Sequence, residues 1–546
     1  MKVGIAQMNS IVGDFPRNAK GILQAYRACI EAGADIVLTP ELSLVGYPPR
    51  DLITKKSFVR QCHQALDYLA DEIGEVPLVV GYVDYHDFEA PGRPLKNAAA
   101  FLHEGQIRHQ VYKTLLPSYD IFDESRYFEP SEECKTFEFG GKKIGITIGE
   151  DIWLDDYIRR PSYDRDPVAE LKADGVDLIL NISASPFFKG VPKNRSSVME
   201  VVACGANAPV VCCNAVGMNE QLVFDGNSLA VDAEGNEIAN LPGFQACYKV
   251  VDVDAKGGSE PKARSVDVED IAKALKLGIK DYSRKAGFSK VLISLSGTIE
   301  SSLLACLAVD ALGHESVVGV TYSELEQLSE LEQAGVDLAK KLKIEHRVVP
   351  IHKIKEASLG ATSELMEEIE HPLVDQGMSA RICSMLMMAY ARNNKYLILS
   401  SANKTDLCVG HFYVGGIATQ GLAVLSDVPK VMVHKLARHV ASELGALDLK
   451  TIELEEQKSK RLHRYGNELA PPYVILDLIL ELYMFYQIPS EVIIENHGYD
   501  ENTVRWVQRK VDLNEWKRHH CAPGIRVTSR AFGIARRMPL VQSFIG

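Results

Sequence analysis

Residues 290–313 read KVLISLSGTIESSLLACLAVDALG, and this stretch decides the fold of the second half of the chain. An apolar run, a turn of small residues and a second apolar run predict a buried strand, a tight turn and a helix. The junction from Ser294 to Ser302 aims backbone N–H groups and the positive end of a helix dipole at one point, which suits a phosphate. A capped helix after a tight turn explains the same residues equally well. The junction is not a Walker A loop, because the G-x-x-x-x-G-K-[ST] pattern is absent.

The sequence around this stretch alternates between helix patterns and strand patterns. Helices are predicted over residues 267–286, 301–313, 328–342 and 381–391, and strands over 290–296, 316–323, 346–351 and 395–403. Such an alternation predicts a parallel sheet with helices on both faces, which is a doubly wound α/β domain.

The first half of the chain contains shorter apolar strands, and some of them are joined by turns instead of helices. It is therefore predicted to form mixed sheets. Residues 255–270, rich in Gly, Lys, Ser and Pro, separate the two halves. We expect two domains, residues 1–258 and 259–546, since 546 residues exceed what one hydrophobic core accommodates.

Charge and cysteine usage narrow the class of protein. A net charge of −13 argues against a nucleic-acid binder or a protein on an anionic membrane, because both need clustered Lys and Arg. Eleven cysteines without a C-x-x-C pair or metal-ligand spacing favour reduced thiols and a cytoplasmic location. The longest apolar segment, residues 471–488, is interrupted by Asp477 and Glu481 at helical spacing, so it is predicted to be an amphipathic helix and not a membrane span.

Four segments of the second half resemble the glutamine-dependent NAD synthetases, in the order in which that family has them. Residues 296–301 (SGTIES) resemble the S-G-G-x-D-S pyrophosphate loop of ATP-pyrophosphatase enzymes, and residues 400–412 (SSANKTDLCVGHF) the segment T-G-N-K-S-E-x-x-x-G-Y. Residues 421–437 match the stretch that holds a phosphate-contacting lysine, and residues 515–533 the C-terminal signature. The resemblance implies an ATP-pyrophosphatase-type (adenine nucleotide alpha hydrolase-like) domain.

The same resemblance implies a set of site residues in the second half. The ATP and pyrophosphate loop would comprise Ser296, Gly297, Thr298, Glu300, Ser301 and Ser302. The nucleotide substrate would meet Arg381, Asn403, Lys404, Lys430 and Lys517, and Mg²⁺ would be held by Glu300 and Asp406. ATP and Mg²⁺ are thus the cofactors expected of an active chain, with no covalently bound group.

The first half resembles the nitrilase-type glutaminase domain of the same synthetases, an αββα sandwich, over the segments PELSLVGYPPRDL, KTLLPSYDIFDESRYFEP, GITIGEDIW, NISASPF and VFDG. In that family a Cys attacks the carboxamide of glutamine, a Glu acts as base and a Lys stabilises the charged intermediate, as covalent acyl transfer requires. The Glu corresponds to Glu41 and the Lys to Lys113, and the glutamine pocket to Tyr119, Ser185 and Arg195. The Cys position is Gly149.

Gly149 predicts the loss of glutamine hydrolysis, because a residue without a side chain forms no thioester. Residues 216–222, VGMNEQL, also replace the family's V-G-G-x-D-E-L in the glutamine pocket. Glu41 and Lys113 are then expected to persist as a buried ion pair, whose single members are costly to remove.

The synthetase half departs from the family pattern at several binding positions. Thr298 replaces a glycine that lets phosphate approach the backbone. Glu300 stands at an Asp position and Asp406 at a Glu position, a reciprocal change that either shifts a Mg²⁺ site or reflects drift. Residues 415–417, GGI, replace Y-G-D, and residues 381–383, RIC, replace R-x-R.

Three functions remain open from the sequence. The chain is an ammonia-dependent NAD synthetase with an impaired site, a catalytically inactive pseudoenzyme that acts by assembly with an active paralogue, or an amide ligase redirected to another acid or amine. The loss of the glutaminase nucleophile is common to all three, whereas the substitutions in the synthetase half favour the second and third. The resemblance further implies small-molecule nucleotide substrates and a homo-oligomer.

Overall fold

The computed structural model describes residues 1–86, 91–153, 163–256, 267–363, 372–465, 468–533 and 535–544. The chain divides into two compact units, Met1–Ser265 and Val266–Gly546. The predicted domain boundary at residues 258 and 259 lies in 257–266, outside the described residues.

The first unit contains two six-stranded sheets and a two-stranded ribbon. Its strands are β1 (Lys2–Gln7), β2 (Ile36–Leu38), β3 (Leu78–Tyr85), β4 (Leu95–His103), β5 (Gln106–Tyr112), β6 (Phe137–Phe139), β7 (Lys142–Ile148), β8 (Leu178–Ser183), β9 (Val210–Asn214), β10 (Val216–Asn219), β11 (Leu222–Asp225), β12 (Leu229–Val231), β13 (Glu237–Asn240) and β14 (Cys247–Asp252). Its helices are α1 (Phe15–Glu31), α2 (Lys56–Glu72), α3 (Pro167–Ala173) and α4 (Val191–Ala206).

Both large sheets are mixed, as the short turns between some strands predicted. The first has the order β14-β1-β2-β3-β4-β5. In it β1 pairs parallel with β2 and β2 with β3, whereas β3 pairs antiparallel with β4 and β4 with β5. The second has the order β13-β12-β9-β8-β7-β6, with β7, β8 and β9 parallel.

The apolar core of the first unit lies between the two sheets. Along β8, Leu178, Leu180 and Ile182 belong to this central cluster, whereas Ile179 belongs to a second cluster shared with α3 and α4. The alternation follows from the two-residue period of a strand and makes both faces of the sheet apolar. Helices α1 and α2 pack on the outer face of the first sheet. The result is the predicted αββα sandwich.

The second unit is built on a five-stranded sheet in which all strands are parallel, as predicted. Its elements are α5 (Asp267–Lys285), β15 (Val291–Ser294), α6 (Ile299–Leu312), β16 (Val317–Ser323), α7 (Glu330–Leu342), β17 (Glu345–Pro350), α8 (His352–Ser363), α9 (Pro372–Asn394), β18 (Leu397–Ser400), α10 (Lys404–Val409), β19 (Leu422–Ala423), α11 (Lys430–Leu444), α12 (Leu449–Ser459), β20 (His463–Tyr465), β21 (Glu468–Ala470), α13 (Tyr473–Leu480), α14 (Ser490–His497), α15 (Glu501–Leu513) and α16 (Glu515–Arg518).

The strand order β17-β16-β15-β18-β19 places the topological switch point between β15 and β18. Connections leave these two neighbouring strands in opposite directions, which opens a crevice at their carboxyl ends. The Ser294–Ser302 junction follows β15 and the segment with Asn403 follows β18. The fold therefore brings together two segments that lie about one hundred residues apart in the chain.

The apolar segment 471–488 forms α13 followed by a π-helical turn, Glu481–Phe485, against a cluster of buried residues from α14 and α15. This agrees with the predicted amphipathic helix. In the described part of the chain, no helix is long and apolar enough to span a membrane. All eleven cysteines are free thiols.

Candidate active sites

Three strand ends of the first unit meet at one buried point. Glu41 lies shortly after β2, Lys113 directly after β5 and Gly149 directly after β7. Nζ of Lys113 lies 2.7 Å from Oε1 of Glu41, and the two side chains are 2 % and 3 % exposed. Oε2 of Glu41 accepts the backbone N–H of Ala184 at 3.0 Å. The structure thus brings together the residues predicted to be base and charge stabiliser.

A second carboxylate, Glu124, completes this cluster and was missed in the sequence. Its Oε1 lies 2.9 Å from Nζ of Lys113, and it accepts the hydroxyl of Tyr47 at 2.9 Å. Burial alone would lower the pKa of Lys113, but Glu124 and Glu41 around the ammonium group raise that pKa overall. Burial raises the pKa of Glu124. The one available signal was that Glu124 lies within residues 113–130, a segment that carried the resemblance.

Gly149 faces the cluster directly. A Cβ atom at this position would lie 2.6 Å from Oε2 of Glu41 and 3.0 Å from Nζ of Lys113. Gly149 also has φ of +52°, a left-handed conformation that L side chains rarely adopt. A side chain at this residue would therefore point between the predicted base and the predicted stabiliser, which is where a nucleophile would have to stand.

The other thiols of the first unit considered as substitutes for the nucleophile are buried in apolar clusters or bonded to the backbone. Cys134 and Cys212 pack in the apolar cluster between the second sheet and its helices, and burial raises the pKa of each to about 12. Cys213 is bonded through its Sγ to the backbone oxygens of Ala6 and Leu38, at 3.4 and 3.6 Å. Buried thiols with raised pKa values are poor nucleophiles, because the thiolate is the reactive form.

Asp151 holds the two loops of this site against each other. Its Oδ1 accepts the backbone N–H groups of Thr114 and Leu115, at 3.0 and 2.8 Å, and its Oδ2 accepts that of Ile148 at 3.0 Å. Burial raises the pKa of Asp151 to about 7 despite these three bonds. The carboxylate thereby fixes the position of Lys113 relative to Gly149, which adjoin the bonded residues in sequence.

The three residues predicted for a glutamine pocket all bond to other side chains of the first unit. Arg195 forms a bidentate pair with Asp225, at 2.9 and 3.1 Å, and its Nη2 lies 3.2 Å from Oγ of Ser185. The hydroxyl of Tyr119, whose side chain is 43 % exposed, donates to Glu150. Contact of these residues with glutamine remains a prediction.

In the second unit, the Ser294–Ser302 junction is both a capped helix and a tight turn. Gly297 has φ of +83°, and a Cβ atom there would lie 1.7 Å from the backbone oxygen of Leu331. Thr298 is the N-cap of α6, since its Oγ1 accepts the N–H of Ser301 at 3.4 Å. The same Oγ1 lies 3.1 Å from Oγ of Ser296, and Ser302 donates its N–H to the backbone oxygen of Thr298 at 3.0 Å. The Oγ of Ser301 lies 3.3 Å from both of these hydroxyl oxygens, so three hydroxyl groups lie together at the start of α6.

Asn403 joins the two predicted metal-binding carboxylates. Its Nδ2 donates to Oε1 of Glu300 at 3.0 Å and to Oδ2 of Asp406 at 2.7 Å. The ammonium group of Lys430 pairs with Glu300 and lies 5.4 Å from the ring centre of Tyr473. The hydroxyl of Tyr473 lies 3.3 Å from Oδ1 of Asp406. Four of the predicted residues thus form one cluster at the switch point of the sheet.

The other predicted cations are placed differently. Nζ of Lys404 lies 2.8 Å from Oδ1 of Asp427, 2.7 Å from Oγ1 of Thr528 and 2.6 Å from the backbone oxygen of Arg530. These three acceptors use all three donors of the ammonium group. Lys517 lies 3.1 Å from the backbone oxygen of Gly410, and burial lowers its pKa. Nucleotide binding by Lys404 and Lys517 remains a prediction.

Arg381 lies on α9 with an exposed side chain next to the glycine pair 415–416. A Cβ atom on Gly415 would lie 3.7 Å from Cγ of Arg381. The loop that lacks the aromatic ring and the carboxylate of the family pattern therefore borders this guanidinium group directly.

Among the described residues, no group of three or more His, Cys, Asp and Glu side chains could hold a metal ion. Glu300 and Asp406 form a pair of carboxylates bonded to one amide. Mg²⁺ is commonly bound by one or two carboxylates together with substrate phosphates, so this pair fits a nucleotide-bound ion.

Comparison with known proteins agrees with the geometry in both units. The family model described as carbon-nitrogen hydrolase matches residues 2–260, and that described as NAD synthase matches residues 271–521. The chain is 36% identical to the glutamine-dependent NAD(+) synthetase of Synechocystis sp., over 99% of both chains. It is 33% identical to that of Thermotoga maritima, over 100% of this chain and 99% of the relative. The structure of the Acinetobacter baumannii synthetase in complex with ADP is similar with a TM-score of 0.76 and 28% identity, covering 99% of this chain and 98% of the other.

Proposed function

This chain belongs to the glutamine-dependent NAD(+) synthetase family, and from that premise we propose that it makes NAD from nicotinic acid adenine dinucleotide, ATP and ammonium, at a reduced rate and without hydrolysing glutamine. The position of Gly149 carries the second part of the proposal, the loss of glutamine hydrolysis. A side chain there would meet Glu41 and Lys113, so the missing atom is the nucleophile itself. Base and charge stabiliser then have no covalent chemistry to assist.

Ammonium-dependent ligation is supported by the cluster at the switch point. ATP activates the substrate carboxylate as an adenylate with release of pyrophosphate, and ammonia then displaces AMP. The hydroxyl groups of Ser296, Thr298 and Ser301 lie at the start of α6, where the helix dipole favours a phosphate. The Acinetobacter baumannii relative was solved in complex with ADP, which supports binding of an adenine nucleotide by this chain.

Residues of the same cluster would neutralise the negative charge of the reacting phosphates. Lys430 supplies a cation beside the phosphate loop, and Asn403 holds Glu300 and Asp406 in fixed orientation. When bound, Mg²⁺ would be held by Glu300 and Asp406 and would neutralise phosphate charge. We expect a reduced rate because the Thr298 side chain is bonded within the loop and because the two carboxylates have exchanged lengths.

One observation favours the alternative that the chain is a catalytically inactive pseudoenzyme. Lys430 and Glu300 are paired with each other, so each must exchange its partner before it can serve a phosphate or a metal ion. A chain in which this exchange costs too much would fold and assemble without turnover.

The experiment measures AMP release and NAD formation by the purified chain with ATP, Mg²⁺ and nicotinic acid adenine dinucleotide. Ammonium and glutamine are compared as nitrogen sources. We expect NAD with ammonium only, and its loss in Lys430→Met. Glutamate release from glutamine would contradict the loss of the glutaminase. If a chain shown to be folded forms no product with either nitrogen source, the result would instead support the inactive pseudoenzyme or an amide ligase redirected to another acid.

A further inference from the structure

Helix α11 begins without a cap of its own, although it carries Lys430 at its first position. The N-cap residue is Pro429, whose hydrocarbon side chain cannot accept a hydrogen bond. The first N–H groups of any helix lack acceptors within that helix. The acceptors for α11 must therefore come from other elements.

Two side chains from distant parts of the chain provide them. The backbone N–H of Lys430 donates to Oγ1 of Thr405 on α10 at 2.8 Å. The next N–H, that of Val431, donates to Oδ2 of Asp477 on α13 at 2.8 Å. The hydroxyl of Thr405 in turn donates to Oδ1 of Asp477, so one carboxylate closes a network across three helices.

The network lies between the residues assigned to ATP chemistry. Thr405 stands directly between Lys404 and Asp406 on α10, while Lys430 begins α11. Tyr473 lies one helical turn before Asp477 on α13, and it contacts both Asp406 and Lys430. A shift of α13 would thus move the predicted metal ligand and the predicted phosphate-contacting lysine together.

We propose that Asp477 caps α11 from a distance, directly at Val431 and through Thr405 at Lys430, and is a positioning residue that sets Lys430 and Asp406 for the synthetase reaction. The expected effect on NAD formation rests on the proposed function, whereas the expected effect on hydrogen exchange at the start of α11 does not. Asp477 interrupts the apolar segment 471–488, where an ordinary core helix would carry an apolar residue. Its role explains that interruption.

The first test measures amide hydrogen exchange at residues 430 and 431 in the full chain, which needs no turnover. Asp477→Asn and Thr405→Val each remove part of the network, and we expect exchange there to accelerate by about fivefold or more, as for the loss of one hydrogen bond. Thr405→Ser keeps the hydroxyl and should exchange like the wild type. Asp281→Asn is the control, because Asp281 is a buried carboxylate of the same unit that pairs with Arg284 and Lys285 of its own helix.

The second test measures ammonium-dependent NAD formation in the same variants. We expect kcat/KM to fall about 10- to 100-fold in Asp477→Asn and Thr405→Val, mostly through kcat, since a misplacement of about 1 Å has that effect. Thr405→Ser should restore the rate, and Asp281→Asn should keep it. Unchanged exchange at residues 430 and 431 in both disrupting variants would overturn the proposal. If the wild type makes no NAD, the proposed function fails, and the exchange measurement still decides the role of Asp477.

Discussion

At the scale of single residues, Gly149 combines two constraints that act against any side chain. Its φ of +52° strains an L residue, and its Cβ would lie 2.6 Å from an oxygen of Glu41 that is already bonded to the N–H of Ala184. We predict that Gly149→Ala lowers the free energy of unfolding of the first unit by about 3 kcal/mol, the sum of left-handed strain and overpacking. Urea unfolding measures the change, with hydrogen exchange of β7 reporting on the first unit.

The matched control for this prediction is Gly141→Ala. Gly141 has φ of +76°, and a Cβ there would meet nothing within 4 Å, so it carries the strain without the crowding. It should cost only about 1 kcal/mol. Equal losses in the two variants would mean that Glu41 moves aside freely, and the buried cluster would then be less rigid than its hydrogen bonds indicate.

A second residue-scale observation concerns Lys404, for which the resemblance implied nucleotide contact. All three donors of its ammonium group are engaged by Asp427, Thr528 and Arg530. The sequence gives no access to these contacts, because Lys404 and Thr528 lie 124 residues apart.

At the scale of elements, Asp427 ties the C-terminal segment to α10. Asp427 is 1 % exposed, and its carboxylate accepts the N–H groups of Val527 and Thr528 at 2.8 and 2.6 Å as well as the ammonium group of Lys404. We predict that Asp427→Asn destabilises the second unit by about 3 kcal/mol, because a nearly buried cation loses its counter-ion. Faster hydrogen exchange of residues 526–530 should accompany the loss.

The comparison variant is Asp448→Asn, which changes an exposed N-cap that accepts the N–H of Lys450 at 3.1 Å. Such a substitution should cost well under 1 kcal/mol, since Asn caps helices as well as Asp does. If Asp427→Asn were no worse than this control, the segment 526–530 would be held by its other contacts.

Elements were predicted well where apolar runs were long and poorly where they were short. The parallel sheet of the second unit was predicted because its central strands are uninterrupted apolar runs with helices between them. Helix α9 begins at Pro372 instead of Arg381, since its first residues have no clear apolar period. Strands β6 and β10 to β13 were not predicted, because strands of three or four residues show too little alternation to detect, and the six-residue β14 was missed as well.

The candidate sites divide in the same way. Glu41 and Lys113 were predicted through the resemblance to the family, and the structure brings the two side chains together because each follows the end of a strand. Glu124, Thr405 and Asp477 were missed as site residues, since each depends on a contact between segments that no local pattern connects.

At the scale of the whole molecule, the two units should respond differently to pH. In the first unit, burial raises the pKa of Asp151 from 3.8 to about 7, and burial also raises the pKa of Glu150 and Glu124. The folded unit then binds more protons than the unfolded chain between about pH 4 and 7, so its stability falls as pH rises through that range. The contribution of Asp151 is roughly 4 kcal/mol at most.

In the second unit, two shifts oppose each other. Burial raises the pKa of Asp477 to about 6, which lowers stability as pH rises, whereas burial lowers the pKa of His434 to about 4, which increases stability between about pH 4 and 6.5. We therefore predict that raising the pH from 5 to 8 destabilises the first unit and leaves the second nearly unchanged. Urea unfolding at several pH values, with hydrogen exchange to follow each unit separately, measures both. Asp151→Asn should be less stable at every pH, because an amide nitrogen cannot accept the N–H of Ile148, but its pH slope should be much smaller. An unchanged slope in that variant would show that the pH response does not arise from Asp151.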